Sequence, residues 1–196
     1  MILVYGGSFD PPHLGHLNIV RALKERFQSA FKILIYPNAI SPLKKEKSLR
    51  PSDILKLCEF TFKELLDEQI EIRETELFSA TPSYTIFTIR QLRTEFPEEQ
   101  IWLCIGEDSL ADFSHWHEIE ELKTKIHTFV ILRRKTRSPL PISFPSSELE
   151  NKSIVLDNEL WDISSTRLRQ EREFEYAKRW MEASSFSFLQ NQGWFT

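Results

Sequence analysis

The stretch "ILVYGGSFDPPHLGHLNIVRALKERF" (residues 2–27) decides how this chain folds. Its first part, "ILVYGG" (2–7), is an apolar run stopped by two glycines, which predicts a buried strand feeding a tight turn. Leu17, Val20, Leu23 and Phe27 then recur at helical spacing, with Arg21, Lys24, Glu25 and Arg26 mostly on the other faces. "FKILIYPNA" (31–39) reads as a second strand that halts at Pro37. Strand, helix and strand in so short a span make a βαβ unit, a right-handed crossover within a parallel sheet.

The pattern continues outward. "SPLKKEKSLRPSD" (41–53) is a polar loop, and Ile54, Leu57, Thr61 and Leu65 mark a helix with Ser52 or Asp53 as its cap. "IEIRETEL" (70–77) alternates like a strand, and Ser83 is the expected cap of a helix over 84–95. "QIWLCIG" (100–106) is an interior strand that again ends at glycine; "IEELKTK" is helical and "TFVIL" (128–132) is a strand. Lys135 to Asn151, with three prolines, reads as a long loop, "SIVLD" (153–157) as the last strand, and the tail as one or two helices. The expected fold is α/β: a Rossmann-like, doubly wound, mostly parallel sheet with helices on both faces and a small C-terminal helical part. One domain is expected over 1–196, its core spanning about 1–170 and a helical segment about 171–196. Ligands of such folds sit beyond the carboxyl ends of strands, where Gly6-Gly7, Pro37-Asn38 and Gly106 fall.

Composition excludes several classes. A net charge of −4 argues against a general nucleic-acid or membrane-surface binder, whose footprint would be basic. Cys58 and Cys104 both lie in apolar segments and read as buried thiols of a reducing compartment. The start of the chain has no basic leader, and no 18 apolar residues run together. A soluble, cytoplasmic protein without nucleic-acid or membrane partners is expected; a homo-oligomer is left open.

The turn at residues 6–16, "GGSFDPPHLGH", carries the chemistry. Only 5 glycines occur in 196 residues, so an adjacent pair after a strand points to a backbone that must come close to a ligand. The helix that follows presents unpaired N–H groups and a positive dipole end, which suits an anion such as phosphate. Neither G-x-x-x-x-G-K-[ST] nor G-x-G-x-x-G is present. His13 and His16, three apart at the mouth of the helix, supply the polar groups instead. A metal half-site is the weaker reading, since no third ligand of suitable spacing follows.

With those residues in view, the chain resembles the bacterial nicotinate mononucleotide adenylyltransferases of the HxGH nucleotidyltransferase superfamily. "GGSFDPPHLGHL" (6–17) is similar to the family signature, and H-L-G-H (13–16) to the superfamily motif. "TPSYTIFTIRQL" (81–92), "IGEDSLADFSHW" (105–116) and "DISSTRLR" (162–169) resemble its later motifs, in family order, across residues 2 to about 170. The resemblance implies an enzyme of NAD biosynthesis that joins nicotinate mononucleotide to ATP, giving deamido-NAD and pyrophosphate by in-line attack without a covalent intermediate. It implies that His16, His13 and Arg169 are catalytic, and that Gly7, Ser8 and Phe9 line ATP. It likewise places Gly106, the ribose-binding Asp108, Ile163, Ser164 and Thr166 in the ATP site. Tyr84 and Thr85 would receive the nicotinate carboxylate, and Trp116 would stack on the pyridine ring. Mg²⁺ would come with ATP, not in a protein cage.

Two departures stand out. In "PNAISPLKKEK" (37–47), Leu43 stands where the family has histidine and Ser41 where it has the first proline of a pair. Lys44 is kept and would reach ATP phosphates, although Lys44, Lys45 and Lys47 read equally well as a solvated run. The ending "SFSFLQNQGWFT" keeps Gly193-Trp194 but lacks the usual proline. A sister adenylyltransferase preferring nicotinamide mononucleotide or another phosphorylated acceptor, and a non-catalytic adenine-nucleotide-binding protein, are the alternatives.

Overall fold

Period-two alternation along the strands builds two cores, one on each face of a single sheet. The computed structural model describes residues 1–28, 31–42, 47–133 and 142–195. Among these, six strands run parallel: β1 (Ile2–Gly7), β2 (Lys32–Pro37), β3 (Ile70–Ile72), β4 (Ile101–Gly106), β5 (Thr128–Leu132) and β6 (Ser153–Leu156), in the order 3-2-1-4-5-6. Leu3 and Tyr5 of β1, Ile33 and Ile35 of β2, and Val130 and Leu132 of β5 enter one core. Their neighbours Ile2, Val4, Leu34, Tyr36, Phe129 and Ile131 enter the other.

The helices divide the same way. α1 (Leu14–Phe27) and α2 (Pro51–Phe62) cover the first face, joined by α6 (Ser165–Glu171), α7 (Phe174–Trp180) and α8 (Ala183–Asn191). α3 (Thr85–Glu95), α4 (Ile119–Lys125) and α5 (Ser147–Asn151) cover the second. The chain winds from β1 outward to β3, then returns to the far side of β1 and winds to β6. Strand order therefore reverses between β1 and β4, and this is where such sheets open a crevice.

Local physics explains where expectation and structure part. α2 starts before Ser52 and Asp53: Pro51 occupies its first turn, where a fixed φ and a missing N–H are harmless, and Arg50 is the cap residue. The Asp53 carboxylate turns back to Arg50, at 2.9 and 3.2 Å. α3 is capped at Tyr84, and the Ser83 hydroxyl donates to the Glu76 carbonyl at 3.5 Å instead of accepting from the helix. β3 stops at Ile72, since only Ile70–Ile72 find partners on β2 and residues 74–78 turn. The described part of the expected loop before β6 holds α5, whose Ser146 hydroxyl accepts from the Leu149 N–H at 3.2 Å.

Leu34 is fully buried between β1 and β3, whereas Val155 of β6 is 47% exposed. Leu34→Ala should lower stability by about 2–5 kcal/mol. Val155→Ala should change it by about 0.5 kcal/mol or less. Urea unfolding midpoints of the two variants check this contrast.

Candidate active site

The turn from β1 into α1 is a non-glycine left-handed bend held by rings. Phe9 has φ 45°, a region that bulky side chains avoid unless their surroundings enforce it. Its ring is buried edge-on against Tyr5 (5.5 Å), Phe62 (5.9 Å) and His16 (4.9 Å). Gly7 makes room for that ring: a Cβ there would stand 2.9 Å from two of its atoms. A Cβ on Gly6 would meet nothing within 4 Å, so this glycine leaves its backbone open to the crevice.

The two histidines follow as a stacked pair. Their rings lie 3.8 Å apart at 25°, and His13 is buried at the cap position of α1. The His13 backbone N–H donates to His16 Nδ1 at 3.1 Å. With Nδ1 accepting, the neutral ring carries its proton on Nε2. Gly15 completes the motif for a steric reason: a Cβ there would lie 2.9 Å from Ile163 Cγ2 and 3.0 Å from the His13 ring.

The chain's other end meets this turn. Arg169 of α6 donates through Nη1 to the Asp10 carbonyl at 2.5 Å and through Nη2 to Thr166 Oγ1 at 3.2 Å. The Ser165 hydroxyl donates to the Pro11 carbonyl at 2.8 Å. Ser164 caps α6, accepting from the Arg167 N–H at 3.2 Å. Arg167 pairs with Glu171 at 2.8 Å and lies over the Tyr176 ring.

Gly7, Ser8, Phe9, His13, His16, Gly106, Trp116, Ile163, Ser164, Thr166 and Arg169 therefore line one cavity of about 1010 Å³ at the carboxyl ends of β1 and β4. Asp108 is exposed on the short turn Glu107–Ser109, outside the cavity walls. Tyr84 and Thr85 are outside them too: α3 packs on the second face, and the Tyr84 ring tilts against His117 at 4.4 Å. Lys44 and Leu43 lie outside the described residues.

Three wall residues carried no sequence signal of their own. Asp10 is 2% exposed, and its carboxylate accepts from the Ser48 N–H (2.9 Å) and hydroxyl (2.8 Å). Lys47 donates to the Ser8 carbonyl at 2.6 Å. Arg133, at the end of β5, faces the same space. Asp10 sat inside the quoted turn, and a carboxylate between a turn and a proline is the one hint that could have been read. Cys104 also reaches the wall, but burial raises its pKa well above the ordinary thiol value, so it offers no thiolate nucleophile. Lys47, Arg133, Arg167 and Arg169 line the cavity with the two imidazoles, and the carboxylates of Asp10, Glu159 and Asp162 line it as well, so cations exceed carboxylates there by one within an acidic chain.

Known proteins are similar to this chain in sequence or in fold. Residues 4–171 match the cytidylyltransferase-like family model. A probable nicotinate-nucleotide adenylyltransferase of Leptospira interrogans is 35% identical over 167 residues, covering 85% of this chain and 82% of that one. A protein of the same name from Fusobacterium nucleatum is 35% identical over 171 residues, covering 86% and 85%. The structure of Plasmodium falciparum nicotinic acid mononucleotide adenylyltransferase complexed with NaAD superposes with a TM-score of 0.73 at 17% identity, covering 97% of this chain and 95% of that one.

Gly15→Ala should leave the fold in place and disable the site, because the added methyl must displace His13 or Ile163. We expect circular dichroism and melting close to wild type and ATP affinity reduced by roughly tenfold or more. Unchanged affinity would show that the tight fit around Gly15 is immaterial.

Proposed function

We infer, because the chain belongs to the cytidylyltransferase-like family and within it to the nicotinate-nucleotide adenylyltransferases, that it joins nicotinate mononucleotide to ATP. The products are deamido-NAD and pyrophosphate, in NAD biosynthesis. The observation that carries this reading is the meeting of His13, His16 and Arg169 on one cavity at the β1/β4 crevice. A phosphate oxygen of the mononucleotide attacks the α-phosphorus of ATP, the new P–O bond forms, and the bond to the bridging oxygen breaks. The electron pair leaves with pyrophosphate.

Residue roles follow from geometry and chemistry. The His16 tautomer directs an Nε2–H donor at the charge that gathers on the bridging oxygen, and stacking on His13 limits rotation of the ring. Arg169 is pre-positioned by Asp10 and Thr166 and offers its remaining N–H groups to outer phosphate oxygens. Gly7, Ser8 and Phe9 bring the backbone close to ATP, with Gly106, Ile163, Ser164 and Thr166 on the facing walls. Asp108 would turn in to the ribose hydroxyls from its exposed position.

Trp116, half-buried against Phe113 with its indole N–H unpartnered, offers a face to the pyridine ring. The Thr85 backbone N–H, at the start of α3, would receive the carboxylate beside Tyr84, whose own N–H donates to the Pro82 carbonyl at 3.0 Å. Lys44 is retained as a phosphate contact on resemblance alone. Among the described residues no three His, Cys, Asp or Glu side chains converge as a metal cage, so Mg²⁺ would come on the phosphates of ATP. No described helix is long and apolar enough to cross a membrane, and work in the cytoplasm is part of the proposal.

Incubation with ATP, Mg²⁺ and each mononucleotide, monitored by pyrophosphate release, tests the function. Release is expected with nicotinate mononucleotide and less with the amide. Equal or better use of the amide would assign the chain to a sister activity, and ATP binding without release would make it a nucleotide-binding protein. His16→Ala should lower kcat by about 10²–10³-fold while the KM for ATP stays within about threefold. Turnover like wild type in that variant would remove His16 from the mechanism.

A further inference from the structure

Deamido-NAD carries two aromatic ring systems, a pyridine and an adenine, and only the pyridine has so far been given an aromatic partner. The adenine side has backbone groups and small side chains assigned to it, none of which covers the face of a base. Bases are held well by aromatic side chains laid against them, and a bicyclic purine offers more surface for this than a pyrimidine.

The cavity at the β1/β4 crevice supplies a second platform. Besides the two histidines, its described aromatic walls are Tyr5, Phe9, Trp116, Trp161 and Tyr176. Tyr5 and Phe9 are buried and meet edge-on at 5.5 Å, so their rings belong to the core. The Tyr176 ring is taken by the Arg167 guanidinium, 4.1 Å away. Two half-buried indoles remain, Trp116 and Trp161. Trp161 lies between β6 and α6, just ahead of Ser164, Thr166 and Arg169. The segment that carries it therefore also carries the groups assigned to the ATP phosphates.

Trp161 is held on both its side chain and its main chain. The Trp180 ring of α7 lies against it, with centroids 5.7 Å apart and planes inclined by 46°. Trp180 in turn carries the Arg179 guanidinium over its ring at 5.0 Å. The Tyr176 hydroxyl of α7 donates to the Asp162 carbonyl at 3.3 Å, and the Ile163 N–H donates to the Trp161 carbonyl at 2.9 Å. Neither Trp161 nor Trp180 is among the side chains packed on the two cores of the sheet, so core packing does not account for the pair. An aromatic face fixed beforehand loses little freedom when a base docks on it.

We propose that Trp161 stacks on the adenine base of ATP, with Trp180 as its positioning residue, and that the pair thereby selects a purine. This assignment rests on the adenylyltransferase reading and deepens it. It adds two residues that lie outside every motif of the sequence.

The test separates the base from the phosphates. Dissociation constants of ATP, CTP, inorganic tripolyphosphate and nicotinate mononucleotide are measured by calorimetry for wild type, Trp161→Ala, Trp161→Phe and Trp180→Leu, with melting temperatures. Trp161→Ala should weaken ATP by about 5–100-fold and CTP by less. Tripolyphosphate, which has the charges without the base, and nicotinate mononucleotide should stay within about twofold. Trp161→Phe should keep most of the ATP affinity, and Trp180→Leu should lower it by less than Trp161→Ala does.

Unchanged ATP affinity in Trp161→Ala would overturn the assignment. So would an equal loss for tripolyphosphate, which would make Trp161 a prop for the wall at Ser164 and Thr166. A loss confined to nicotinate mononucleotide would move the indole to the pyridine, and equal losses for ATP and CTP would remove the selection of a purine. Should Trp161→Ala fail to fold, Trp161→Leu fills the space beside Trp180 without an aromatic face and is read in the same way. A chain that shows the expected losses yet releases no pyrophosphate from ATP and nicotinate mononucleotide overturns the enzymatic reading and leaves the stacking contact standing.

Discussion

The site depends on how the carbonyls of one short turn are satisfied. Residues 8–11 leave β1 in an irregular path, and their polar backbone groups have no strand or helix partner. A buried carbonyl left without a donor costs about 1–3 kcal/mol. Here the Ser8, Asp10 and Pro11 carbonyls receive Lys47, Arg169 and Ser165 respectively. Ser48 secures the Asp10 side chain. Two segments far apart in sequence, 47–48 and 165–169, are thereby tied to a single bend, and the strained backbone of Phe9 is held inside that tie.

Rigidity of this kind suits a reaction that needs placement more than it needs reactive protein groups. The thiol at the wall is held protonated by burial. What the cavity offers is oriented donors: an imidazole whose tautomer is set by a backbone N–H, a guanidinium already bonded on two of its nitrogens, and glycines that clear a path for phosphate. Such donors need little rearrangement as charge moves, and this preorganisation is where electrostatic catalysis gains most.

The fold was legible because its signals are local and periodic. Alternation in "ILVY", "KILIY" and "TFVIL" sorts side chains onto two faces, and spacing in α1 and α2 marks their inner sides. The signal misled where burial and strand pairing separate. Leu77 continues the alternation of β3 and is fully buried, but as part of a turn with no partner on β2. Caps at Arg50 and Tyr84 escaped notice because neither side chain accepts from a helix N–H, the Arg50 guanidinium donating to the Asp53 carboxylate instead.

In the site, His13, His16, Gly15 and Arg169 stood out through motifs, whereas Lys47 could not. A lysine in a run of lysines looks solvated until a carbonyl 39 positions away is seen to claim it. Asp10 was hidden in a similar way, because its partners at Ser48 and Arg169 are chosen by the fold and not by spacing along the chain.

The bond from Arg169 to Asp10 joins residues 159 positions apart, and it has a bearing on how the protein comes into being. A nascent polypeptide that has left the ribosome only as far as β5 already owns the glycine bend and both imidazoles. It lacks the guanidinium and the Ser165 hydroxyl that hold the bend in shape. Assembly of the nucleotide pocket is consequently a late event of synthesis, and a truncated translation product would carry the signature motif without the means to keep a triphosphate in place.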